Sequence, residues 1–200
     1  TVIRGYQDIA QPSLGIVTAG EAENVLGAAG TNGVVSLGDG GSVIVTFSQP
    51  IMNGSGWDFA VFENAFQNTF LELAFVEVSS DGVTYFRFPA TSLIPFETQI
   101  GTFGEVEATL INNLAGKYRA QYGTPFDLEE LEGTIGLDIN AITHIRLIDV
   151  VGSINPLYAS YDAQGNIINE PYPTGFPQGG FDLDAVGVIH QQPVSVEEFE

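Results

Sequence analysis

Short runs of β-branched and aromatic residues recur along the chain, and each run ends in a turn sequence. One is "GSVIVTFSQP"; another is "LELAFVEVSSDG", whose Ser-Asp-Gly turn leads into "VTYFRFPA". Such runs are typical of strands, and a tight turn between two of them predicts a β-hairpin. We expect the last run, "GFDLDAVGVIH", to pair with an early strand. The pattern predicts an all-β fold, a β-sandwich of jelly-roll type with long loops.

Helix signals are few, and they predict one or two short helices. Residues 105–120 have the composition of an irregular helix, and residues 20–26 of a single helical turn. In "TPFDLEELEG", Thr124 suits an N-cap, Pro125 the first helical position and Gly133 the C-terminal stop. No repeat or change of composition divides the chain. We therefore expect one domain over residues 1–190 and a linker over residues 191–200.

The charge balance restricts the partners that the chain can have. Five Lys and Arg residues stand against 25 Asp and Glu residues, which gives a formal net charge of −20. Such a surface repels phosphate backbones and anionic headgroups, so we expect no nucleic-acid partner. No apolar run approaches the roughly 20 residues that span a bilayer, so we expect no membrane insertion. The absence of cysteine excludes disulfides and cysteine catalysis.

The segment "GGFDLDAVGV" places Asp182 and Asp184 inside a run that otherwise predicts a buried strand. With the strand period of two, the two carboxylates share one face, roughly 6–7 Å apart. Their repulsion and desolvation are both unfavourable unless a positive charge lies between them. An arginine is one candidate, but basic residues are scarce. Ca²⁺, which takes six to eight oxygen ligands, fits the available side chains better.

Two other segments offer further oxygen ligands. Glu63 and Asn64 come where the strand run "WDFAVFENAF" gives way to a loop, and Asp149 is flanked by apolar residues in "IRLIDVVGS". We predict a Ca²⁺ site formed from Glu63, Asn64, Asp149, Asp182 and Asp184. The alternative interpretation is that these acids only accept backbone N–H bonds at strand ends.

A ligand-binding surface is predicted by "NNLAGKYRAQYGTPFDL", which holds two of the five basic residues beside several aromatic rings. Cations next to flat amphipathic rings suit a polar ligand with apolar faces, such as a sugar. The Pro-rich stretch "NEPYPTGFPQGG" adds further rings. The predicted ligand-binding residues are Lys117, Tyr118, Arg119, Tyr122, Tyr172 and Phe176. The alternative is that these aromatic residues pin long loops onto the sandwich.

Catalytic motifs give no support for an enzyme. The chain contains no G-x-S-x-G sequence, which a nucleophile elbow would need. A glycosidase needs only two carboxylates in a cleft, but the sequence favours no particular pair among 25 acids. We therefore predict a non-enzymatic protein.

Several longer stretches carry a resemblance to a known family. "VSLGDGGSVIVTFSQPI", "DFAVFENAF", "GKYRAQYGTPFDL", "THIRLIDVVGSI" and "GGFDLDAVGVI" resemble an uncharacterised family of secreted bacterial proteins of Bacteroidetes type, described only as "cell surface protein". The resemblance covers about residues 4–189. The ending "VSVEEFE" resembles the linker before a sorting domain of the type IX secretion pathway. The family's pattern is similar to calcium-stabilised jelly-roll modules that bind carbohydrates, and to β-sandwich surface proteins that accompany vitamin B12 uptake.

The resemblance implies a secreted, extracellular protein attached to the cell surface. Together with the predicted Ca²⁺ site, it leads us to expect a non-enzymatic binding module for a glycan or another small polar ligand, with a glycan-binding or adhesive role. Other cell-surface proteins are further candidate partners. Three alternatives stay open: an accessory that captures corrinoid for outer-membrane uptake, a glycoside hydrolase or lyase, and a structural component of a surface layer or filament.

Overall fold

The computed structural model describes residues 1–193, which form short strands joined by long loops. The strands are β1 (Val2–Ile3), β2 (Val35–Ser36), β3 (Ser42–Ile51), β4 (Phe59–Glu63), β5 (Ala74–Ser79), β6 (Phe86–Arg87), β7 (Thr91–Ser92), β8 (Ile111–Asn112), β9 (Leu114–Ala115), β10 (Thr124–Phe126), β11 (Ile142–Asp149) and β12 (Asp182–Val188). Among these residues, four 3₁₀ helices of three or four residues lie at Pro12–Leu14, Ala22–Val25, Ala108–Leu110 and Leu128–Leu131.

The strands form two main antiparallel sheets. The larger sheet has the order β1-β3-β11-β5-β6, with β9 also paired to β5. The smaller sheet has the order β10-β4-β12-β2, and β7 and β8 form a separate pair. The last strand, β12, therefore pairs with two early strands, as predicted. The arrangement confirms the prediction of an all-β sandwich.

The main hydrophobic core takes side chains from both sheets. In β11 the buried residues Ile145 and Leu147 alternate with more exposed neighbours, which is the pattern of a strand with one face on a core. From the smaller sheet, Phe59 is fully buried and stacks on Phe126, with the ring centroids 5.3 Å apart. Burying a phenylalanine side chain contributes on the order of 2 kcal/mol. A second apolar cluster, which includes Leu71 and residues of the long loops, extends the core.

The hairpin predicted around "SSDG" is confirmed. Strands β5 and β6 pair with Val78 opposite Phe86. In the turn, one oxygen of Asp81 accepts hydrogen bonds from the backbone N–H groups of Val83 (2.8 Å) and Thr84 (2.7 Å). These bonds lower the pKa of Asp81 to about 2, because they favour the ionised carboxylate.

The helix predictions are only partly right. Residues 105–120 form no long helix, because Asn113 (φ 54°) and Gly116 (φ 84°) adopt left-handed backbone conformations that a continuing helix does not accept. In "TPFDLEELEG" the first three residues belong to β10, and the 3₁₀ helix begins later, with Asp127 as its cap. The helical turn predicted within residues 20–26 is confirmed. Helices long and apolar enough to cross a membrane are absent from residues 1–193.

The end of β12 is fastened by a buried aspartate. His190 Nδ1 lies 2.8 Å from Asp58 Oδ1, and Asp58 also accepts the backbone N–H groups of Gly54 (2.8 Å) and Leu128 (2.7 Å). Gly54 allows this approach, because a Cβ atom there would lie 2.3 Å from the His190 ring. The predicted domain end falls at this contact, although Gln191 still bridges to Ile51. Residues 194–200 of the predicted linker lie outside the described residues.

Candidate functional site

Two cavities are lined in part by the connection between β4 and β5, residues 64–73. This connection leaves β4 at Glu63, and it is anchored where Ala65 O accepts the backbone N–H of Ala120 (2.8 Å). Its first part is mostly exposed and includes Phe66, whereas residues 70–73 are buried and include Glu72. The connection therefore presents an apolar ring at the surface and a carboxylate inside.

The first cavity, called here the phenylalanine cavity, has a volume of about 320 Å³. Four phenylalanine rings follow one another along it. The centroid distances are 5.0 Å from Phe66 to Phe70, 6.1 Å from Phe70 to Phe103, and 6.0 Å from Phe103 to Phe176. Phe66 and Phe103 are 72% and 70% exposed, so both rings are open to a ligand from solution.

The deeper lining of the phenylalanine cavity is polar. Glu72 and Asp182 are both buried, and Asn64, Thr174 and Gln178 also line the space. Asn64 Nδ2 donates to Asp182 Oδ2 at 3.2 Å. The other oxygen, Asp182 Oδ1, is buried and has no hydrogen-bond partner within residues 1–193. A buried carboxylate oxygen without a partner is costly, so this atom is a natural point of attachment for a ligand.

Burial raises the pKa values of both carboxyl groups in this cavity. The pKa of Asp182 is raised to about 6 by burial, although Asn64 and Arg4 act in the opposite direction. The Ser36 hydroxyl, on the neighbouring strand, lies near enough to lower this pKa but completes no hydrogen bond. The pKa of Glu72 is raised well above its ordinary value by burial and by the nearby charges of Asp182 and Glu63.

Further buried acids lie around Asp182 and Glu72. Asp149 accepts the backbone N–H groups of Phe181 (2.7 Å) and Gly40 (3.0 Å), and Glu170 accepts that of Leu73 (2.7 Å). Burial, followed by repulsion from neighbouring carboxylates, raises both pKa values. We call the set the buried acid group; its members are Asp39, Glu63, Glu72, Asp149, Glu170 and Asp182.

The second cavity, called here the tyrosine cavity, also has a volume of about 320 Å³ and contains basic side chains. It is lined by Asn68, Ala108, Lys117, Tyr118, Arg119 and Tyr122. The Arg119 guanidinium lies 4.9 Å from the Tyr122 ring centroid, and Lys117 Nζ lies 5.9 Å from that of Tyr118. Lys117 also donates to the backbone carbonyl of Ile111 (2.7 Å), which fixes its position.

The structure divides the predicted ligand-binding residues among three places. Lys117, Tyr118, Arg119 and Tyr122 line the tyrosine cavity together, whereas Phe176 belongs to the phenylalanine cavity. Tyr172 is buried, and its hydroxyl donates to Asp8 Oδ1 at 2.7 Å. It therefore lies inside the fold, as the alternative interpretation of these aromatic residues expected.

The predicted metal ligands are brought only partly together. Asn64 and Asp182 are in contact, and the charges of Glu63 and Asp149 act on the same neighbourhood. Both oxygens of Asp184 accept the backbone N–H of Gly30 (3.0 and 2.8 Å), and its charge also acts on Glu63. In residues 1–193 no three acidic or histidine side chains are arranged so that they could hold a metal ion by themselves.

Several residues of these cavities were not predicted from the sequence. Glu72 was missed because it approaches Asp182 only through the fold. Phe66, Phe70 and Phe103 were missed as a group, although "NAFQNTF" shows two phenylalanines four residues apart outside any strand pattern.

The chain matches no protein-family model, no curated protein and no solved structure.

Proposed function

We propose that this chain is a non-enzymatic, extracellular binding module of the bacterial cell surface, with a glycan as the ligand of the phenylalanine cavity. One observation carries the proposal: a row of four phenylalanine rings borders a space whose deeper lining is carboxylate and amide. Mostly apolar walls with a few converging polar groups are the usual form of a small-ligand site.

The two linings match the two faces of a sugar ring. The C–H face packs on exposed aromatic rings such as Phe66 and Phe103, which offer large rigid surfaces. The hydroxyl groups then donate to Asp182, Glu72 and the Asn64 side-chain oxygen. A sugar hydroxyl that reaches Asp182 Oδ1 would give this buried atom the hydrogen bond that it lacks within residues 1–193.

We further propose that Ca²⁺ binds beside Asp182 and stabilises the module. Asp182, Glu72 and Asn64 would supply oxygen ligands, and backbone carbonyls and water would complete the six to eight that Ca²⁺ takes. Two carboxylates are enough for such a site, so it needs no group of three acids. The high density of buried carboxylates favours this proposal, since a bound cation relieves their mutual repulsion.

Glycan binding is tested with Phe103→Ala and a matched control, Phe96→Ala. Phe96 is also exposed (43%), but it does not line the phenylalanine cavity. We expect Phe103→Ala to weaken binding of a glycan selected on an array by about tenfold, because it removes one aromatic surface. Phe96→Ala should bind like the wild type. Unchanged binding by the triple Phe66, Phe103 and Phe176 alanine variant would contradict the proposal.

A glycoside hydrolase is the second candidate, because Glu72 and Asp182 line one cavity and both have raised pKa values. A carboxylic acid with a raised pKa can serve as the general acid of such an enzyme. Turnover of a polysaccharide panel that disappears in Glu72→Gln would favour the hydrolase. Binding without turnover would favour the module.

A further inference from the structure

The tyrosine cavity holds two of the three Lys and Arg side chains that form no ion pair with an acidic side chain in the described residues. Arg87 and Arg146 both pair with Glu77. Arg4 is held by backbone carbonyl groups, including that of Ala19 (2.7 Å). Lys117 and Arg119 likewise form no ion pair with a carboxylate in residues 1–193, but unlike Arg4 they lie together in one cavity.

The convergence of these two cations is notable because the chain has only five Lys and Arg residues among 200. Arg119 is exposed and lies against the Tyr122 ring, so the ring supports one face of the guanidinium. The edge of a guanidinium stacked in this way can donate two parallel hydrogen bonds to a carboxylate or a sulfate. Lys117, whose ammonium is fixed by Ile111 O, adds a second positive charge to the same space.

The remaining lining suits a sugar rather than a bare ion. Tyr118 and Tyr122 are 40% and 57% exposed and offer flat rings with hydroxyl groups, and Asn68 offers an amide. We infer that the tyrosine cavity is a second binding site, which recognises the anionic group of an acidic sugar, a uronate or a sulfate ester. This inference goes beyond the proposed function and does not depend on the phenylalanine cavity.

The large negative charge of the chain does not prevent such a site. At physiological salt, exposed charges more than about 8 Å apart are largely screened, so the negative charge of distant parts of the chain has little effect on the two cations. We therefore expect the affinity of the tyrosine cavity for an acidic sugar to fall as salt is added, since its main contacts are charge-assisted hydrogen bonds.

The test compares oligogalacturonate with the same oligosaccharide methyl-esterified, a matched neutral probe, by calorimetry in the presence of a chelator. The chelator removes any contribution from Ca²⁺ bound elsewhere. We expect the free acid to bind at least tenfold more tightly than the ester, and raising NaCl from 50 to 500 mM to weaken its binding several-fold. A second comparison, of a sulfated galactan oligosaccharide with the same galactan without sulfate, tests whether the site binds a sulfate ester.

Variants at Arg119 locate the binding. Arg119→Gln should lose at least tenfold in affinity for the acidic probe, and Arg119→Lys should lose less because it keeps the charge. Gln164→Glu is the control, since it lowers the net charge by the same amount at an exposed residue outside the cavity. Phe103→Ala should leave this binding unchanged, which separates it from the proposed function.

Three results would overturn the inference: equal binding of the acid and its ester, unchanged affinity in a folded Arg119→Gln variant, or no binding of either acidic probe at millimolar concentration. Binding of the sulfated probe alone supports it and narrows the ligand to a sulfate ester.

Discussion

Two kinds of buried carboxylate coexist in this molecule. Glu77 in β5 is 5% exposed and lies directly across from Arg87 in β6 and Arg146 in β11, so each oxygen has a guanidinium partner. Glu72 and Asp182 are buried to a similar degree (8% and 6% exposed) but form no ion pair with a basic side chain within residues 1–193. The negative charge of Glu77 is therefore balanced by basic side chains of the fold, whereas within residues 1–193 the charges of Glu72 and Asp182 are not.

The comparison shows how a chain with few cations distributes them. Two of its five Lys and Arg residues neutralise one glutamate, whereas the six members of the buried acid group form no ion pair with a basic side chain within residues 1–193. Arg4 lowers the pKa of one of them, Asp182. Backbone N–H groups relieve some of these acids, but their pKa values stay raised. The buried acid group therefore lowers the stability of the folded chain at neutral pH, and a cation from solution would reverse this effect.

The largest expected effect on stability is that of Ca²⁺, which should act through the buried acids that have no basic partner and not through Glu77. Adding 1 mM CaCl₂ to chelated protein should raise the melting temperature by about 5–10 °C, the equivalent of roughly 2.7 kcal/mol for a site of 10 µM Kd. Calorimetry with and without chelator measures it. Asp182→Asn should reduce the response. An unchanged melting temperature in the wild type would contradict the calcium proposal.

The next largest effect on stability is expected at Glu77, the acid that is paired with two arginines. Glu77→Gln should lower the free energy of unfolding by about 2 kcal/mol, because it removes the charge that holds two guanidinium groups on the sheet. The partial exposure of Arg87 and Arg146 keeps the loss below that of a fully buried pair. Chemical denaturation measures it. The calcium response should be the same as in the wild type, and its loss would break the distinction between the two kinds of acid.

A smaller effect is expected from pH at Asp39, whose pKa is raised to about 6 by burial and by the nearby charge of Asp8. Because this pKa is higher in the folded chain than in the unfolded chain, the folded chain binds more protons between about pH 4 and 6. Stability of the chelated protein should therefore increase as the pH falls from 7.5 to 5.

Asp39→Asn should raise the free energy of unfolding by about 1–2 kcal/mol at pH 7.5 and flatten its dependence on pH. The expected gain in stability is smaller than the free energy that corresponds to the pKa shift of Asp39. The reason is that the Ile9 N–H group exchanges a charged acceptor for a neutral one. Melting curves between pH 5 and 8 test it. A variant that is less stable than the wild type at pH 7.5 would contradict the sign.

The smallest effect is expected at Asp184. Its two oxygens both accept the Gly30 N–H group, and an asparagine oxygen can keep part of that contact. Asp184→Asn should change the stability by less than about 1 kcal/mol and leave the calcium response intact. A response reduced as far as in Asp182→Asn would restore Asp184 to the metal site, as the sequence predicted.

The strands could be predicted because their signal is local. The β5–β6 hairpin and the position of β11 follow from alternation and turn chemistry, which short segments contain. The pairing of β12 with early strands was expected instead because a double-sheet fold requires it. The helix predicted over residues 105–120 was wrong because helix-forming composition there is interrupted by residues that adopt left-handed conformations, Asn113 among them. A single sequence gives little warning of such a conformation in a residue other than glycine.

The candidate sites were less predictable because their residues meet only in the folded chain. The tyrosine cavity is the exception, since four of its residues lie within residues 117–122. A register irregularity in β12 between Leu183 and Ala185 interrupts the strict alternation from which a shared face was predicted for Asp182 and Asp184. Glu72 belongs to a strand-like run, and nothing in that run indicates that its side chain approaches Asp182.

The fastening of His190 to Asp58 has a mechanical consequence. Strand β12 is hydrogen-bonded on both sides, to β4 and β2, and the contact lies immediately after it. A tensile load that enters through residue 190 meets this contact before it reaches the ladder bonds of β12, so the contact protects that end of the ladder from peeling. One side-chain contact thus shields the strand that carries Asp182 from force applied at residue 190.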